Sequence, residues 1–322
     1  MLLRAHIHSS LRAKRSNLLS VNIEPKDCFA ACGILSMTVC ILLAMTLLLI
    51  CTACAPAASA ASGKIGVMVT VLPQVEFVSA VGGDKVDVTA MVPPGANPHT
   101  YEVTPAQMAS LSKAKIYFKV GSPIEFELTW LEKLTAQNKG MTVVDCNKGI
   151  ELLQSADPDE PGIDPHTWTS PQNVKIMVYN ICAGLVQLDT MNKGYYEANR
   201  DIYLQKLDAL DSDIKLALAG AVNRTFIVYH PAWGYFAREY GLQQLGIEKE
   251  GKEPQAAYMA RLINEAREKN IRVILVSPQF DTRSAEAIAH EIGGKVVSID
   301  PEGRDYMDNL RKAAAAFGEA LK

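Results

Sequence analysis

Short apolar runs alternate with longer stretches of helical periodicity along most of this chain. In the first half, residues 66–71, 86–92, 116–120 and 141–144 read as strands. Helical stretches run up to Val81 and over residues 105–114 and 126–136. The theme repeats with strands at 225–229, 244–247, 272–276 and 295–299, and helices at 232–240, 254–269, 284–292 and 306–321. Strands of this length interleaved with amphipathic helices predict parallel βαβ units, here in two sets. Residues 192–219 break the alternation. Tyr203, Leu207, Leu210, Ile214 and Leu218 recur at three- and four-residue spacing among Lys, Asp and Gln, which marks one face of a helix. Such a helix runs roughly 40 Å. The expected fold is α/β: two parallel-sheet lobes joined by one long, rigid linking helix.

The N-terminus follows a different rule. No charged residue occurs from Cys28 to Gly63, residues 34–50 are almost continuously apolar, and an Ala/Ser tract follows. Basic residues, an apolar run and a small-residue exit form the order of a secretory signal. Ile50-Cys-Thr-Ala-Cys54 resembles a lipobox, with Cys51 where Leu is usual, and the apolar run is also long enough to span a bilayer uncut. Both readings place the protein outside the cytoplasm and tether it to a membrane, at the cell surface or in the periplasm. The expected organisation is a signal peptide or anchor over 1–54 and a flexible linker over 55–63. An N-terminal lobe (64–190), the linking helix (191–221) and a C-terminal lobe (222–322) follow.

The net charge of −3 divides unevenly, because residues 1–54 carry five Lys/Arg against Glu24 and Asp27. The body is therefore acidic and lacks the basic face that nucleic acid requires. Five of the seven cysteines lie in the leader, leaving Cys146 and Cys182, too few for a disulfide framework and readable as buried thiols.

Three of the six histidines stand in loops or at strand ends: Asn97-Pro-His99-Thr-Tyr-Glu, Asp164-Pro-His166-Thr-Trp and Tyr229-His230-Pro-Ala-Trp. Asp300 directly follows the strand expected at 295–299. Ligands of open parallel sheets bind beyond the carboxyl ends of the strands. Three of these four residues occupy such positions, and His166 lies in a Pro-rich loop able to reach over. Three imidazoles and a carboxylate, two from each lobe, match tetrahedral zinc. Each also has a plainer reading, as a surface histidine, an Asp-capped turn or a helix cap at Asp300. The spacing is long-range, and no compact ligand motif unites the set.

Four longer motifs add a resemblance. Pro93-Pro-Gly-Ala-Asn-Pro-His99-Thr-Tyr-Glu, Asp164-Pro-His166-Thr-Trp-Thr-Ser-Pro-Gln-Asn173, His230-Pro-Ala-Trp-Gly-Tyr-Phe-Ala-Arg-Glu-Tyr-Gly-Leu242 and Val276-Ser-Pro-Gln-Phe280 together resemble the zinc/manganese-binding solute-binding proteins of ABC transporters. The likeness implies two α/β lobes on one long helix and a metal held by His99, His166, His230 and Asp300. His230 stands where manganese-binding members often carry Glu, so the resemblance implies zinc. Two departures accompany it: the segment before the second ligand (155–163) is acidic and has no histidine, and Ser277 stands where the family often has Glu. The function expected is a high-affinity zinc-binding component of an ABC importer that delivers Zn2+ to a membrane permease as a monomer. Alternatives are a manganese or iron importer component, a zinc-dependent hydrolase or a metal-binding surface adhesin. Neither a His-Glu-x-x-His helix nor a Gly-x-Ser-x-Gly elbow occurs.

Overall fold

The computed structural model describes residues 63–154, 162–248 and 254–322. The leader, the Ala/Ser tract up to Ser62 and acidic residues 155–161 lie outside them. Among the described residues no helix is long and apolar enough to cross a membrane.

Two four-stranded, wholly parallel sheets organise the rest. The first contains β1 (Ile65–Val69), β2 (Val86–Ala90), β3 (Ile116–Lys119) and β4 (Thr142–Asp145) in the order β2-β1-β3-β4. The second contains β5 (Thr225–Val228), β6 (Gln243–Gly246), β7 (Val273–Val276) and β8 (Lys295–Ser298) in the order β6-β5-β7-β8. Helices α1 (Pro73–Gly82), α2 (Pro105–Leu111) and α3 (Glu125–Gln137) connect the first set. In the second, α6 (Gly234–Tyr240), α7 (Ala256–Glu268) and α8 (Arg283–Ile292) link the strands, and α9 (Tyr306–Ala320) follows β8. Several strands stop one or two residues short of the expected ends, as before Val120 and Tyr229, whereas β7 ends at Val276 as expected and β4 runs one residue further, to Asp145.

Two-residue alternation gives each sheet two apolar faces. Val67, Val69, Ile116 and Phe118 face one core, while Met68 and Tyr117 face a second cluster shared with α2 and α3. In the other sheet Phe226, Val228, Val273 and Leu275 enter that same first core, and Ile227, Ile274 and Val276 pack with α7 and α8. One apolar core therefore runs from one sheet to the other.

Helix α5 (Lys193–Leu218) passes through this core, with Tyr203, Leu207, Leu210, Ile214 and Leu218 buried as the periodicity predicts. It packs against α1, α9 and an 18-residue helix, α4 (Pro171–Leu188). The strand–helix alternation did not predict α4, because no strand follows it in the first sheet. Its start is nonetheless encoded: Ser170 Oγ accepts a hydrogen bond from the Asn173 N–H, and Pro171 opens the first turn. Cys146 and Cys182 are both free thiols and buried.

Gly318 of α9 shows how closely these helices approach. A Cβ there would lie 2.4 Å from the Ala217 carbonyl oxygen of α5, a backbone atom that cannot step aside. Gly318→Ala should force the two helices apart and destabilise the protein by about 1–3 kcal/mol, as overpacking does. A urea midpoint equal to that of the wild type would show that the contact is looser than described.

Candidate metal centre

Each of the three histidines has a carboxylate beside its ring, and His99 and His166 are also held by local turn chemistry. His99 lies in the loop after β2, where the Asn97 side-chain oxygen accepts its backbone N–H at 2.9 Å. Its Nδ1 faces Glu125 Oε2 of α3 at 2.5 Å. His166 follows Asp164, whose Oδ1 accepts the His166 backbone N–H at 2.9 Å and meets the ring Nδ1 at 2.8 Å. His230 follows β5, and its Nδ1 faces Glu248 Oε2 at 3.4 Å. Glu248 ends the neighbouring strand's extension, where its N–H bonds the Tyr229 carbonyl.

A carboxylate can only accept, so the Nδ1 of His99 and that of His166 carry the ring proton and their Nε2 atoms keep the lone pair. His230 Nδ1 lies near Glu248 without a hydrogen bond to it. The Nε2 atoms of the three rings converge. His166 Nε2 lies 3.2 Å from the Nε2 of both His99 and His230, and one donor atom from each ring falls within 4.8 Å of the others. Three nitrogens around a zinc ion at 2.0–2.1 Å stand about 3.3 Å apart in a tetrahedron. The spacing therefore fits the ion without rearrangement of the His166 pairs.

The electrostatics agree with a neutral His166. Burial pushes His166 down to about 4 despite the opposing hydrogen bond to Asp164. Burial raises Glu125 most, but the hydrogen bond from His99, the attraction of that ring and its own backbone N–H together hold the carboxyl below its ordinary value. Phe280 stacks on the His230 ring at 4.6 Å, and Trp168 meets His166 edge-on at 5.4 Å. The aromatic residues near the ligands thus divide into ring-packing walls and buried anchors. Trp168 is also a cross-tie, since its Nε1–H donates to the Pro301 carbonyl at 2.9 Å. Tyr235 is another, donating to the Asp164 carbonyl at 3.0 Å. Gly234 permits this approach, because a Cβ there would meet Asp164 Oδ2 at 2.3 Å.

Asp300 follows β8 as expected, but it is not among the donors that converge. Its Oδ1 accepts hydrogen bonds from Gln279 Nε2 at 2.8 Å and from the Glu302 N–H at 2.9 Å. Pro301, Glu302 and Gln279 line the small cavity in front of the three histidines. Burial, with Asp300 beside it, pushes Glu302 up to about 8. The alternative role of Asp300 as a helix cap does not apply, since Asp305 occupies that position at α9. His290 is exposed on α8, away from the cluster.

Glu125, Glu248 and Gln279 were not singled out from the sequence. Glu248 had a positional signal, two residues beyond the strand paired with that of His230. Ser277 is buried and its carbonyl accepts the Phe280 N–H, so the carboxylate beside His230 comes from Glu248 instead.

Comparison with known proteins adds an independent line. The family model described as "ZnuA: Zinc-uptake complex component A periplasmic" matches residues 67–320. The high-affinity zinc uptake system protein ZnuA of Bacillus subtilis (strain 168) is 31% identical over 281 residues, covering 80% of this chain and 88% of that protein. A crystal structure of ZnuA superposes with a TM-score of 0.77 at 40% identity, covering 81% of this chain and all of that one. A zinc-bound ZnuA deletion mutant gives the same TM-score and identity over 81% and 99% of the two chains. With its two parallel sheets, its long helix and its cluster of three imidazoles, the chain belongs to the ZnuA family of zinc-binding components of ABC importers.

Proposed function

We propose that this protein captures one zinc ion outside the cytoplasmic membrane and delivers it to the permease of an ABC importer. His99, His166, His230 and Asp300 are the ligands in this reading. The observation that carries it is the convergence of three Nε2 atoms, His166 standing at zinc-like spacing from the other two, with a carboxylate beside each ring. Second partners of this kind orient a ligating histidine and raise its basicity. A cation in the cavity would draw in the nearby Asp300 carboxylate and complete a four-donor shell of three nitrogens and one oxygen. That donor set suits zinc better than manganese, which favours oxygen.

Four protein donors leave no coordination position for a hydrolytic water, so we read the protein as a carrier and not an enzyme. It acts as a monomer, with no nucleic-acid partner. Residues 1–54 export and tether it, through Cys54 or the apolar run, and 55–63 form a flexible linker. Residues 64–190 and 222–322 then supply two ligands each on either side of the linking helix (191–221).

Calorimetry on metal-stripped protein should find about one tight zinc site per chain. His166→Ala should weaken it more than the roughly 10–100-fold typical of losing an outer partner, and Asp164→Asn should fall within that range. Two equivalent tight sites, or a His166→Ala protein that binds as the wild type does, would sink the reading. For the tether, mass spectrometry of the native N-terminus decides: a lipid-modified Cys54 supports cleavage, and an intact preceding segment shows a spanning anchor.

The pH dependence follows from burial of His166. Its folded-state value near 4 lies below the ordinary 6.5, so between these limits the unfolded chain binds a proton that the native site refuses. The contribution to stability of the metal-free protein is therefore complete above pH 6.5. It is lost as pH falls towards 4, by on the order of 3 kcal/mol. Urea titrations of His166→Gln should show a shallower acid decline than the wild type over this window. Parallel declines would mean that His166 is not held neutral.

A further inference from the structure

One of the two oxygens of Asp300 is already occupied. Oδ1 accepts from Gln279 Nε2 at 2.8 Å and from the Glu302 backbone N–H at 2.9 Å. A carboxylate oxygen offers two lone-pair sites, and these two donors use both. Oδ2 is the oxygen left for a cation. The Glu302 bond belongs to the backbone turn after Asp300, whereas the Gln279 bond comes from a different loop, following β7.

The orientation of the Gln279 amide is set by this contact, because only its nitrogen can face a carboxylate oxygen. The cost falls on the other end of the amide. Gln279 Oε1 is buried without a hydrogen-bond partner among the described residues. An unpartnered buried acceptor lowers stability, so the side chain holds Asp300 at the expense of its own oxygen.

How many oxygens Asp300 presents decides the coordination number. With one, three imidazoles and the carboxylate make four donors, the number zinc takes in closed sites. With two, the shell expands to five and opens towards the six-coordinate, oxygen-richer surroundings that suit manganese. We propose that Gln279 is a specificity-determining residue: by occupying Asp300 Oδ1 it confines the carboxylate to one-oxygen coordination and disfavours manganese relative to zinc. This inference rests on Asp300 being the fourth ligand.

The test compares full-length, metal-stripped wild type with Gln279→Met, which keeps the chain length and removes the donor, and with Asp300→Ala. Gln279→Leu repeats the first variant with a different shape. Competition titrations give the zinc-to-manganese affinity ratio, and cobalt(II) absorption reports coordination number, intense for four donors and weaker for five or six. Loss of the Gln279 donor should lower the ratio by about tenfold, the smaller end of outer-partner effects, and weaken the cobalt bands. Asp300→Ala should reduce zinc affinity, and adding Gln279→Met to it should change the ratio no further. An unchanged ratio and unchanged bands in both Gln279 variants, with zinc affinity still lost in Asp300→Ala, would overturn the role of Gln279 alone. Equal weakening of both metals would do the same, since that is what a merely structural residue produces. Zinc affinity unaffected by Asp300→Ala would remove the fourth ligand and this inference with it.

Discussion

The metal centre depends on a single continuous hydrophobic core that both sheets share. His99 and His166 belong to the half of the chain built on the first sheet, and His230 to the half built on the second. Their nitrogens nevertheless meet at 3.2 Å. Loops alone could not hold such a distance. It is held because the inner faces of both sheets, through residues such as Phe118 and Phe226, close on α4, α5 and α9 in one apolar core, with a few buried polar contacts set into it, such as Tyr203 to Glu76 and Ser170 to Glu239. Close-packed interiors resist the small displacements that would spoil the spacing. The cross-ties from Trp168 to Pro301 and from Tyr235 to Asp164 extend the constraint to the loops themselves.

On that frame, the electrostatics work by withholding protons from one side of each ring. Glu125 and Asp164 bond the Nδ1 edges of His99 and His166, Glu248 lies beside that of His230, and the three Nε2 atoms point at one small volume. Such an arrangement is unfavourable when empty and favourable around a cation, which is how a preorganised binding site differs from an ordinary polar cluster. The neighbouring carboxyl groups complement it. Glu302 is buried beside Asp300 with its ionisation disfavoured, so the wall of the cavity does not carry two full charges side by side in the metal-free protein.

Most of this architecture was legible in the sequence because its signals are local. Short apolar runs marked strands, the spacing from Tyr203 to Leu218 marked the long helix, and the placing of His99, His166 and His230 in loops or at strand ends marked them as candidate ligands. The partners that perfect the site were harder to see. Glu125 opens a helix 26 residues after His99, and Glu248 reaches His230 from the next strand of the sheet. Nothing in linear spacing joins them. Helix α4 escaped for a related reason, since it serves the core between the sheets and not either sheet's βα rhythm. Asp300 was placed correctly at its strand end, yet its hold by Gln279 belongs to two loops that only the fold brings together.

The three rings differ in one respect that bears on traffic. His166 is 4% exposed, His230 12% and His99 18%, and the Glu125 behind His99 is itself 53% exposed. Solvent meets His99 at the rim, whereas His166 is the most enclosed of the three rings lining the same cavity. Access to the cluster is therefore graded by depth, with His99 at the rim and His166 innermost.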